Sequence, residues 1–82
     1  MNALYASQMT ARVTLLTTDS RGYSYYTIVH PEYCIVLVRP GESAASGAWC
    51  YRCGRDSATG GTCYHMDLVA LYRACIPAVY SH

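Results

Sequence analysis

Cys50, Cys53, Cys63 and His65 fall within sixteen residues in the pattern Cys-x2-Cys-x9-Cys-x-His, and this spacing constrains the chain more than any other feature. Two thiolates two residues apart converge readily on one ion. A thiolate and an imidazole after a Gly-containing loop complete a set of four borderline-to-soft donors. That is the ligand set of a closed tetrahedral zinc site. A closed site leaves no position for water or substrate, so the spacing predicts structural zinc rather than catalysis.

The length makes a metal valuable. At 82 residues the chain predicts one domain, residues 1–82. A domain of this size buries only about 60–65% of the surface its unfolded chain exposes, and commonly needs reinforcement. A structural zinc contributes an apparent ~10–16 kcal/mol at neutral pH. The net stability of an ordinary domain is about 5–15 kcal/mol. With 52% hydrophobic and 13% charged residues, the composition is that of a folded globule.

Local chemistry predicts how the donors meet. Gly54, directly after Cys53, permits a tight turn beneath the Cys50–Cys53 pair. Cys63 and His65 are two residues apart, and on a regular helix they would point about 200° from each other. They can share one ion only where a helix begins. Thr62 is the expected N-cap, which places Cys63 at that boundary. Asp67 then falls in the first turn and Arg73 in the last, both matched to the helix dipole. Leu68, Leu71, Tyr72, Cys75 and Ile76 line one side, and Pro77 is expected to stop the helix.

Other readings of the cysteines stand beside this one. They could be buried small apolar residues. They could be a disulfide framework, although five is an odd number and no secretory leader is visible. Cys50 and Cys53 could be a redox pair, which would want a helix starting at the motif, where Gly54 fits poorly. Cys34, in the most apolar run, and Cys75, on the apolar helix side, read as core rather than ligands. His30, before Pro31, reads as a solvated turn residue and His82 as a loose terminus.

Ahead of the motif the chain reads as β. Residues 11–18 and 23–29 are rich in Thr, Tyr and β-branched residues, and Asp19, Ser20, Arg21 and Gly22 supply turn chemistry between them, so they predict a hairpin. Pro31 interrupts the pattern. Residues 33–39 are the most apolar run and predict the central strand. Residues 48–52 predict a short strand leading into the knuckle, and residues 56–61 a loop. Residues 1–10 predict a ragged end or a short first strand. The fold class expected is α+β: a small antiparallel β-sheet over residues 11–39 followed by one C-terminal helix over residues 63–76, held by zinc.

Strands, then a cysteine pair, then Cys-x-His leading into an aliphatic helix resembles the SWIM-type zinc finger. The stretch from Gly61 through Cys63, His65 and Asp67 to Leu71 is similar to that family's Cys-x-His helix, and residues 23–39 to its β portion. Cys50-x2-Cys53 stands where that family has Cys-x-Cys. The resemblance covers about residues 23–76. It implies Cys50, Cys53, Cys63 and His65 as the metal ligands, and contact with DNA or with proteins as accessory to a larger assembly.

Charge and residue choice favour a protein partner. All six basic residues are Arg, and the formal net charge is +1. Three thiolates and one Zn2+ would bring the loaded chain near zero, so long-range attraction to nucleic acid is weak. Tyr and Arg are the residue types enriched at interface anchors, and there are nine Tyr with no Phe. The alternative is a nucleic-acid-binding finger, with Arg52 and Arg55 on phosphate and Tyr51 and Tyr64 stacking on bases. No set of residues suggests an enzyme or a small-molecule substrate. No apolar run is long enough to span a membrane. Clustered cysteines without a leader predict an intracellular, reducing location. The absence of Lys and Phe suggests a GC-rich genome, actinobacterial or that of a phage infecting such a host. A small regulator of a larger partner, such as a phage-like inhibitor or adaptor, suits these features.

Overall fold

The computed structural model describes residues 12–29 and 32–80. The expectations for residues 1–11, His30, Pro31 and His82 lie outside them. Five strands form one antiparallel sheet in sequence order: β1 (Val13–Thr18), β2 (Ser24–Ile28), β3 (Cys34–Val38), β4 (Ala48–Cys50) and β5 (Arg55–Asp56). One helix, α1 (Tyr64–Tyr80), follows. Among the described residues no helix is long and apolar enough to cross a membrane.

The β1–β2 hairpin closes as its sequence dictates. The Asp19 carboxylate accepts from the backbone N–H of Arg21 at 2.9 Å and of Tyr23 at 3.0 Å. Gly22 takes a φ of 89°, which any side chain would resist. The β1–β2 register slips between Leu15 and Thr17. A bulge on an edge strand twists that edge, which disfavours pairing with another chain.

Strict alternation in β2, β3 and β4 builds a sheet with two unlike faces. Tyr26, Ile28, Cys34, Val36, Val38, Ala48 and Cys50 are buried on one face. Met66, Leu68 and Val69 of α1 complete the core there, with Tyr72 packed against it. Burying one Val, Leu or Ile side chain stabilises by about 1.5–3 kcal/mol, so this layer is the main apolar contribution to the fold. Tyr25, Thr27, Ile35, Leu37 and Trp49 lie on the opposite face and are only half-buried. β3 is the middle strand, as its apolar content predicts.

The sheet reaches further than residue 39. β4 pairs with β3 through Val36↔Cys50, Leu37↔Trp49 and Val38↔Ala48. β5, expected as irregular chain and loop, pairs with β4 through Trp49↔Asp56 and Cys50↔Arg55. Side chains secure this short strand. Arg39 grips Asp56 through Nη1–Oδ1 at 2.9 Å and Nη2–Oδ2 at 2.6 Å. The Ser57 hydroxyl accepts from the Ala48 N–H at 2.8 Å, where the β4–β5 ladder has ended.

The helix departs from expectation at both ends. It begins at Tyr64, so Cys63 rather than Thr62 precedes it, and the Cys63 carbonyl accepts from the Asp67 N–H at 3.2 Å. It also runs past Pro77 to Tyr80. Proline removes one i→i−4 bond and crowds the carbonyl four residues back, a penalty of about 3 kcal/mol that can bend a helix without ending it. Arg73 is therefore in mid-helix, not in the last turn. Its guanidinium donates to the Glu42 carbonyl at 3.3 Å and sits 5.9 Å from the Tyr26 ring centroid. The buried stripe is His65, Met66, Leu68 and Val69, whereas Leu71 and Cys75 are only half-buried.

Candidate metal centre

The knuckle is set by backbone geometry. The Gly54 N–H donates to the Cys50 carbonyl at 2.9 Å, and Gly54 has a φ of 65°. This reversal brings Cys53 back over the end of β4, where its N–H points at the Cys50 sulfur, 3.4 Å away. Across the loop, η1 (Ser57–Thr59) is a single 3-10 turn with the Asp56 carboxylate accepting from the Ala58 N–H at 3.0 Å. Gly61 then passes so close to the Asp56 backbone that an added Cβ would lie 3.1 Å from its carbonyl oxygen. The chain is thereby delivered to Cys63 directly opposite the knuckle.

Cys50, Cys53, Cys63 and His65 come together, with their donor atoms all within 4.8 Å of one another, and could hold a metal ion. The His65 Nδ1 faces all three sulfurs, at 3.4 Å from Cys53, 3.6 Å from Cys50 and 3.9 Å from Cys63. Cys50 and His65 are buried, Cys63 is half-buried and Cys53 is exposed. The cluster thus bridges β4, the knuckle and the start of α1. With Cys63 at the last position before the helix and His65 in its first turn, the two donors face one point, which they could not do inside a regular helix.

The thiols differ in their readiness to ionise. Burial opposes ionisation of Cys50, but the Cys53 N–H and the neighbouring Cys34 and Cys63 thiols donate to its sulfur and hold its pKa below the ordinary value. Cys53 is pushed up to about 11 by desolvation and by its contacts with Cys63 and Cys50. Cys34 is pushed up to about 12 by burial and by its contact with Cys50.

Two neighbours have no signal in the sequence. The His65 Nε2 is buried without a hydrogen-bond partner among the described residues, and a carboxylate oxygen of Glu32 stands 3.5 Å from it. At that distance the carboxylate faces the ring nitrogen without a formed hydrogen bond. Cys34, a core residue of β3, places its sulfur 3.4 Å from that of Cys50. Both contacts cross between segments distant in sequence, so neither spacing nor periodicity reveals them.

The candidate contact residues are less free than their sequence suggests. Arg52 pairs with Glu32, Nε to Oε2, at 2.9 Å. The Arg55 guanidinium donates to the Thr62 carbonyl at 3.1 Å. Asp56, next to Arg55 in the sequence, is held by Arg39. The Tyr64 hydroxyl accepts from Arg12 at 3.0 Å. Tyr51 remains 57% exposed and Tyr64 47% exposed, and Tyr51 makes an edge contact with Trp49. Comparison of the chain with protein-family models, with curated proteins and with solved structures finds no match in any of the three.

Proposed function

We propose that this chain is a small module built around one structural zinc, and that it acts by binding a protein partner as a regulator or adaptor. The observation that carries the metal is the set of S···Nδ1 distances, 3.4, 3.6 and 3.9 Å. A tetrahedral ion with Zn–S near 2.3 Å and Zn–N near 2.0–2.1 Å has S···N edges of about 3.6 Å. Three thiolates and an imidazole are the donors zinc prefers, whereas magnesium and calcium take oxygen. Glu32 behind His65 fits the same reading. A histidine that ligates through Nδ1 carries its proton on Nε2, where a carboxylate orients the ring and raises its basicity.

All four positions belong to the protein, so the ion supports the fold and activates nothing. The order of strands, cysteine pair and Cys-x-His at a helix start supports a variant SWIM-type finger. The protein-binding role rests on the outer sheet face. Ile35, Leu37, Trp49 and Tyr51 form a half-buried to exposed apolar patch on the side away from α1. Aromatic residues on a rigid sheet are suitable interface anchors. The nucleic-acid alternative keeps Tyr51 and Tyr64 for stacking, but Glu32 offsets Arg52 and the Thr62 carbonyl engages Arg55.

Elemental analysis of protein purified without added metal tests the first half. One zinc per chain is expected; less than a third of an equivalent in a folded protein refutes it. Capture of partners with wild type and with Trp49→Ala tests the second. Loss of a captured protein at unchanged zinc content supports the outer face as the interface, and unchanged capture removes that face from consideration.

A further inference from the structure

Cys34 is the one thiol beside the cluster that the metal reading does not use. Its sulfur lies 3.4 Å from that of Cys50, and both residues are buried on the helix-facing side of the sheet. The other buried positions of β2 and β3 on this face are Tyr26, Ile28, Val36 and Val38. An open cleft of about 310 Å3, lined by Tyr33, Ile35, Tyr51 and Arg52, also touches Cys34, which is itself 3% exposed.

We propose that Cys34 and Cys50 form an oxidation site for peroxide, and that their disulfide and the bound metal exclude each other. Hydrogen peroxide converts one sulfur to a sulfenic acid: one peroxide oxygen stays on sulfur and the other leaves as water. The second sulfur attacks, the S–O bond breaks, and that oxygen also leaves as water. Two thiols and one peroxide give one disulfide and two waters; a Cys50 that starts as thiolate takes one proton from solvent. The sulfurs must close from 3.4 Å to about 2.05 Å; Cys50 pairs with Val36, so Cys34 is its diagonal neighbour and the strand backbone must shift along with the side chains.

The pairing needs no metal. Its consequence for the ion rests on the zinc reading. A metal ligand is a thiolate, so a disulfide at Cys50 removes a donor and leaves Cys53, Cys63 and His65. Disulfides formed first at exposed Cys53 remain open to exchange, whereas one between Cys34 and Cys50 is buried and resists it.

The test treats the full-length protein, as purified, with hydrogen peroxide. Released zinc is followed with a chromogenic chelator, and disulfides are mapped by mass spectrometry after thiol alkylation. The expected main product is Cys34–Cys50, with loss of the ion and recovery after reduction and zinc addition. Cys34→Ala should release zinc about fivefold or more slowly; Cys34→Ser serves as a second variant should the alanine fold poorly. A main product among Cys50, Cys53 and Cys63, or equal release rates in wild type and variant, overturns the proposal. Protein that carries no zinc as purified refutes the metal reading alone, because the disulfide map on the same sample still decides the pairing.

Discussion

The Nδ1 of His65 lies 3.4 Å from the sulfur of Cys53, although the two residues stand on opposite sides of a loop. The knuckle turn at Gly54, the short β5 and the approach of Gly61 to Asp56 together produce that distance. Each device is local, and their sum joins the last strands of the sheet to the start of the helix. Losing a donor should therefore unfasten the sheet from α1.

Ligand variants test that dependence. Cys63→Ser and His65→Ala should abolish cooperative thermal unfolding and zinc retention, because ligation free energy is folding free energy in a small metal domain. Cys75→Ala, half-buried and away from the cluster, should keep a full equivalent of zinc. Circular dichroism melts with metal analysis of each variant read both outcomes. Zinc lost in Cys75→Ala and kept in His65→Ala would show the ligand set to be wrong.

Glu32→Gln should weaken zinc binding without eliminating it. The carboxylate stands 3.5 Å from the His65 Nε2, and removal of such an outer partner costs roughly 10–100-fold in affinity. The long contact puts the expectation near tenfold. Competition against a chelator of known affinity measures it. An unchanged dissociation constant would mean that Glu32 serves only its pair with Arg52.

Asp56→Asn should lower the melting temperature at neutral pH, and the deficit should shrink in acid. Hydrogen bonds from Arg39 and then from the Ala58 N–H lower the Asp56 pKa below its ordinary 3.8. A carboxylate whose pKa falls on folding contributes stability that is complete above the unfolded value and lost as pH drops through the folded value. Melts of wild type and variant at pH values from 7 down to the acid limit of folding should draw together as pH falls. A constant gap would assign the effect to packing rather than to the charge.

Binding to oligonucleotides should be weak and sensitive to salt. A phosphate-binding surface needs several cations, and log K falls by about 0.7–0.9 per contact for each unit of log salt. Arg52 and Arg55 both have partners within the chain. Two contacts predict non-specific dissociation constants no tighter than roughly 10⁻⁴–10⁻⁶ M. Titrations at low and physiological salt check this. Nanomolar binding that survives physiological salt and is lost in Arg52→Ala or Arg55→Ala would reverse the order of the two readings.

What the sequence determined by itself was everything carried by short range. Tyr and β-branched residues marked β2, the most apolar run marked β3, Asp19 and Gly22 marked the hairpin turn, and the apolar spacing beyond Thr62 marked a helix starting near Cys63. These signals are legible because steric limits and hydrogen bonding act within a few residues. Only the tertiary structure decided the rest. β5 is two residues long, too short to show a period, and is secured by Arg39, seventeen residues from Asp56. Helix length was misjudged because the Pro77 penalty is local, whereas helix length depends on the sum of interactions along it. Glu32 meets His65 and Arg52, and Cys34 meets Cys50, because strand pairing and the knuckle fold distant segments together. A side chain's chemistry is written in the sequence, but its partners are set by register and packing across the sheet.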